Sequence, residues 1–118
     1  MLIESFRDSM AWQKAHELTL AVYRESANFP KAETVGLTNQ LTRASASVGA
    51  NLAEGYGRHS RNELRRFSMI ANGSLQEVRN FLLLATDLGY LDAQPFSELM
   101  ELADHTGKLV GGIERSPR

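Results

Sequence analysis

Residues 60–88 read SRNELRRFSMIANGSLQEVRNFLLLATDL, and this stretch decides the fold. Ser60, followed three residues later by Glu63, marks a helix start: the hydroxyl can accept the third backbone N–H, and the carboxylate can reach back. From there Leu64, Phe67, Ala71, Leu75, Val78, Leu82 and Ala85 recur at helical spacing along one face. Ile70, Phe81, Leu84 and Leu88 lie on an adjacent face, so the apolar surface is wide enough to bury against more than one neighbour. Gly89 is placed to end the helix in the left-handed conformation. The spacing predicts a helix over 60–88, roughly 40 Å long at 1.5 Å per residue.

Working outward, three more amphipathic segments flank it. One covers about 9–27, capped by Asp8 or Ser9, with Ala11, Ala15, Leu18 and Val22 as its stripe and Phe29-Pro30 as its stop. A second covers about 36–54, with Thr34 as its expected cap and Leu37, Leu41, Ala44, Val48 and Leu52 as its stripe. Gly49 weakens that helix by up to about 1 kcal/mol, which calls for a packing reason. Gly55 to His59 then reads as a short turn. The last segment covers about 93–114, with Pro95 in its first turn and Phe96, Leu99, Met100, Ala103, Gly107, Val110 and Ile113 as its stripe. Ser116-Pro117-Arg118 should fray. No alternating strand pattern competes. Four helices joined by short links predict an all-α, antiparallel up-down-up-down bundle forming one domain over 1–118.

The composition agrees. The chain has 118 residues, 42% hydrophobic and 23% charged, which fits an ordinary globular domain able to bury a core. There is no cysteine, which excludes disulfides and thiolate metal sites and fits a reducing compartment. Met1 to Met10 carries no apolar run of the secretory kind, and Phe81 to Ala85 is too short to span a bilayer, so a cytoplasmic protein with no membrane partner is expected. The net charge is -1, but it is unevenly spread. Between Gly55 and Arg66 four arginines face one acid, whereas Asp87 to Gly107 holds five acids and no Lys or Arg.

Three groups of residues stand out. Arg58, His59, Arg61, Arg65 and Arg66 form a basic stretch whose guanidinium forks suit phosphate oxygens, making it the candidate contact for RNA or DNA. Gln40, Arg43, Asn51 and Glu54 form a polar stripe on the second helix, expected to act as a structural network that satisfies itself across a helix or subunit contact. Trp12, Tyr23, Ile70, Phe81 and Leu84 are apolar positions left over from the core stripes, hence candidates for an oligomer interface. Chemistry is poorly represented. His16, His59 and His105 sit on three segments, and none completes the Glu-x-x-His pattern of di-iron bundles, so no metal is expected. There is no Gly-x-Ser-x-Gly elbow and no phosphate-binding glycine loop, so no catalytic residue, cofactor or enzymatic activity is expected.

Several runs also resemble a known family. They are Trp12-Gln13-Lys14-Ala15-His16-Glu17-Leu18, Phe29-Pro30, Gly36 to Ala44, Ala50-Asn51-Leu52-Ala53-Glu54-Gly55-Tyr56-Gly57-Arg58, Gly73-Ser74-Leu75-Gln76-Glu77 and Asp87-Leu88-Gly89-Tyr90-Leu91. In order and spacing they resemble the four-helix bundle proteins encoded in intervening sequences of bacterial 23S rRNA genes. The resemblance implies a left-handed bundle that assembles as a ring-like homopentamer without known enzymatic activity. It also implies a distant relationship to the accessory proteins of diversity-generating retroelements, which are basic pentameric barrels that bind nucleic acid and a reverse transcriptase. The chain departs from the family pattern in carrying Gly49 where proline is usual, and from the retroelement proteins in lacking a basic net charge. The expectation is a homo-oligomeric binding scaffold that contacts RNA or DNA through its basic rim. The alternative is an adaptor for another protein with no nucleic-acid binding.

Overall fold

The computed structural model describes residues 5–115. The readings of residues 1–4 as free of a signal and of residues 116–118 as a fraying tail fall outside the described residues. The chain forms four helices, α1 (Met10–Ser26), α2 (Leu37–Gly57), α3 (Arg61–Asp87) and α4 (Ala93–Glu114), with short 3₁₀ turns at Phe6–Asp8 and Lys31–Glu33. Each helix packs on the two beside it and not on the one diagonally opposite, which is the antiparallel up-down-up-down bundle. The molecule measures 45 × 24 × 19 Å.

Local chemistry explains the helix ends. Ser9 is extended and accepts the Trp12 N–H at 3.2 Å, so α1 starts on a serine cap. Ser60 does the same for the Glu63 N–H of α3 at 3.3 Å. The reciprocal half of the expected capping box is replaced, because the Glu63 carboxylate turns to Arg66 instead. Thr34 does not cap α2: Gly36 occupies the cap position, and the Glu33 carboxylate reaches the Leu37 N–H at 3.4 Å. Gly89 takes φ +81°, and the Tyr90 N–H closes onto the Ala85 carbonyl at 2.9 Å, which ends α3.

Every stripe residue expected from α1 and α2 is buried, and in α3 the row from Phe67 to Ala85 is buried as well. In α4 the buried set is Leu99, Ala103, Thr106 and Val110, while Phe96, Met100 and Ile113 pack from the side. The packing reason for Gly49 is Trp12: a Cβ there would sit 3.3 Å from the indole Nε1, so the missing side chain lets α1 and α2 close together. Gly55 and Gly57 belong to α2 and not to a turn. A Cβ on Gly55 would lie 3.0 Å from that of Phe67, so this glycine lets α3 approach. The reversal falls instead on Arg58, His59 and Ser60, with His59 in the left-handed region at φ 54°.

Candidate nucleic-acid interface

The tight α2–α3 reversal puts all five residues of the basic stretch at one end of the bundle, but the helical period divides them. Arg58 and Arg66 lie together over the ring of Phe67, 5.3 and 4.4 Å from its centroid. They share two carboxylates. Arg58 Nε donates to Glu54 at 3.0 Å, and its Nη1 lies 3.9 Å from Glu63. Arg66 grips Glu63 with two bonds, from Nε at 2.9 Å and from Nη2 at 3.2 Å. The Arg66 hydrogen bond, opposed by desolvation and aided by the smaller effects of the Arg66 and Arg58 charges, holds the Glu63 carboxyl below its ordinary range. The same pair raises the Arg66 value. These side chains are a third to a half exposed, so the pairs add little to stability. They do set the local charge: two arginines against two glutamates.

Arg61 and Arg65, one turn apart, line a different surface with His59. It is a hollow of about 600 Å³ at the bundle end, walled by Met10, Tyr56, Leu64, Leu109 and Ile113. Both arginines are also engaged by other groups of the chain. The linear sequence shows one basic run; the structure makes it two banks. The walls contributed by α1 and α4 have no signal near the run itself.

The four residues of the expected polar network are not joined to one another within the subunit. Asn51 donates to the Ser47 carbonyl at 2.8 Å and to its hydroxyl at 3.0 Å. Ser47 in turn meets the Ser74 hydroxyl of α3 at 2.8 Å, so the polar link between the helices runs through two serines. Glu54 is taken by Arg58 instead of Arg43. Gln40 and Arg43 flank a second hollow, of about 360 Å³, with Ser47, Glu77 and Phe81. Ser74 was not among the expected network residues, since a lone serine on an apolar stripe gives no sign of what it faces.

The leftover apolar residues also divide. Trp12 is used inside the subunit: it stacks on His16 at 4.8 Å, meets Phe6 edge-on at 5.1 Å and covers Gly49. Phe81 packs partly on the core. Tyr23, Ile70 and Leu84 are 52%, 43% and 44% exposed, and Leu88, next on the row of Ile70 and Leu84, is 49% exposed. Met69 and Leu83 are exposed on other sides of α3 and were not singled out in the sequence. Among the described residues no helix is long and apolar enough to cross a membrane, and no three His, Cys, Asp or Glu side chains gather where a metal could sit.

Two comparisons place the chain among known proteins. The family model described as 23S rRNA-intervening sequence protein matches residues 7–112. A crystal structure of a protein of unknown function from the S23 ribosomal protein family of Bacteroides thetaiotaomicron superposes with a TM-score of 0.80. It is 20% identical, and the match covers 91% of this chain and 100% of that one, a likeness of fold. No curated protein matches. Neither match indicates an enzyme family.

Proposed function

We propose that this chain, which belongs to the 23S rRNA-intervening sequence protein family, is a non-enzymatic cytoplasmic scaffold that assembles with copies of itself and holds RNA or DNA against the α2–α3 end of the bundle. The observation that carries the reading is the row of Ile70, Leu84 and Leu88 along one side of α3, beside the half-buried Phe81. Large apolar side chains left exposed along one side of a helix support an association site there. The family resemblance supports five as the subunit number. Repeating the arginine banks around a ring would multiply a weak phosphate contact by orders of magnitude.

The test combines assembly and binding. Ile70→Asp with Leu84→Asp should dissociate the assembly. Replacing Arg58, Arg61, Arg65 and Arg66 together with Gln should abolish binding of a labelled RNA or DNA oligomer and its salt dependence. Parental affinity in the quadruple variant overturns the assignment of the rim.

A second reading is favoured by one specific observation. Glu54 and Glu63 already occupy Arg58 and Arg66, as expected of a surface that serves as a protein adaptor instead. That protein would assemble in the same way, yet retain no nucleic acid at low salt.

A further inference from the structure

The row on α3 needs a surface to meet, and α1 carries a second set of apolar side chains that the subunit leaves uncovered. Leu20 and Tyr23 are 46% and 52% exposed. Two contacts place them. Trp12 covers Gly49, and the Thr19 hydroxyl lies 2.9 Å from the Ser45 carbonyl. Positions 12, 16, 19 and 23 share one helical face, so Tyr23 lies on the α1–α2 side of the bundle with Leu20 beside it. The α3 row lies on the adjoining side. Positions 70, 77, 81, 84 and 88 share one face of α3, and Glu77 and Phe81 border the hollow that Gln40 and Arg43 of α2 also line. The two sides meet along α2.

Their charges are opposite. Glu77 interrupts the apolar row and Asp87 adjoins its end, whereas Arg24 lies one turn beyond Leu20 and Lys31 lies in the link from α1 to α2. Among the described residues none of these four makes an ion pair. Antiparallel packing puts all four in the half of the bundle farther from the α2–α3 reversal.

We propose that the α3 row of one copy seats on the α1–α2 side of the next. Ile70, Leu84 and Leu88 cover the neighbour's Leu20 and Tyr23, with Glu77 and Asp87 toward its Arg24 and Lys31. The contact is heterologous, not a pairing of the row with itself. An antiparallel two-fold pairing centred between residues 70 and 88 would set the two Glu77 residues about 6 Å apart along the axis and leave Leu20 and Tyr23 in water. Like charges so placed oppose it. A side of the bundle measuring 45 × 24 Å offers more than the roughly 800 Å² that each partner gives to a standard interface. Because the two sides adjoin, successive copies turn and close on themselves instead of running out as a straight filament. The inference rests on the reading that the α3 row joins subunits, and deepens it by naming the surface opposite.

The absence of cysteine supplies the test. Tyr23→Cys, Leu84→Cys and the chain carrying both are checked by melting temperature and sedimentation, then treated with a short bis-maleimide. On a denaturing gel the double variant should give a ladder of dimers and higher species, while each single variant stays at the single-chain mass. Dimers from either single variant mean that a face meets itself, which overturns the heterologous contact and leaves the row as an interface. An assembled double variant without a ladder overturns it too. Charge reversal is the second measurement and needs no cysteine. Glu77→Arg should raise the dissociation constant of the assembly about tenfold, and Arg24→Glu in the same chain should recover most of that loss. No recovery overturns the seating. A parent that stays a single chain overturns both the row and its seat.

Discussion

Glu63→Gln should make this protein bind nucleic acid more tightly, a direction that damage to the fold does not imitate. Arg58 and Arg66 now face Glu54 and Glu63, two charges against two, with Arg66 held bidentately at 2.9 and 3.2 Å. Removing the Glu63 charge leaves that group at +1 and frees one guanidinium for a phosphate. Each phosphate neutralised on a single strand adds about 0.7 to the slope of log affinity against log salt. Taking 1 M salt as the point where counterion release contributes nothing, one added contact gives about eightfold at 50 mM and about threefold at 200 mM. The assay is fluorescence anisotropy of a labelled single-stranded RNA across that salt range, with melting curves to show that the variant is folded. Equal or weaker binding by folded Glu63→Gln, with an unchanged slope, would refute the reasoning that these carboxylates restrain the arginines.

Further outcomes follow from the packing and titration. Leu75 is fully buried, so Leu75→Ala should cost about 2–5 kcal/mol, lowering the melting temperature by roughly 10 °C or more in calorimetry. Gly49→Leu should destabilise, because even a Cβ would press on Trp12 at 3.3 Å, whereas Gly112→Ala, in open space, should stabilise by up to about 1 kcal/mol in the same scan. The Tyr90 phenol donates to Glu33 at 2.9 Å, and that bond to a carboxylate raises its pKa above 10.0. A value raised on folding contributes stability that is complete below pH 10 and is lost as pH climbs through the folded value, so Tyr90→Phe should flatten the alkaline arm of a stability–pH curve. Glu63 is the reverse case: its lowered value contributes above pH 4.5 and is lost as pH falls through the folded value, an acid arm that Glu63→Gln should remove.

The helices were legible in the sequence because burial here is one-sided. A stripe such as Leu37, Leu41, Ala44, Val48 and Leu52 at a period of 3.6 has one way to leave water. Less legible were polar residues that bury by satisfying themselves. Ser45, Ser68 and Thr106 are fully buried, and each hydroxyl donates to a carbonyl of its own helix, at 2.8, 2.7 and 2.7 Å. Such residues pack like small apolar ones while hydropathy scores them as exposed. Gly55 and Gly57 misled for a related reason. Glycine marks turns and close approaches alike, and only the position of Phe67 shows that Gly55 serves the second purpose.

The candidate site was legible in kind but not in layout. The arginines cluster in the sequence, yet the helical period sends Arg58 and Arg66 onto Phe67 and places Arg61 and Arg65 in the hollow. That hollow is closed by residues from Met10 to Ile113, a separation across which local patterning carries no information. Trp12 looked like a surplus aromatic because the sequence does not show that the gap at Gly49 is cut to receive it.

The most direct test of the account is the mass of the purified protein by sedimentation equilibrium at micromolar concentration. Surplus apolar surface along α3 should bring copies together at five times the chain mass of 13.1 kDa, and Ile70→Asp with Leu84→Asp should return the species to that single-chain mass. A parent that sediments as a lone 13.1 kDa chain would contradict the claim that this row joins subunits.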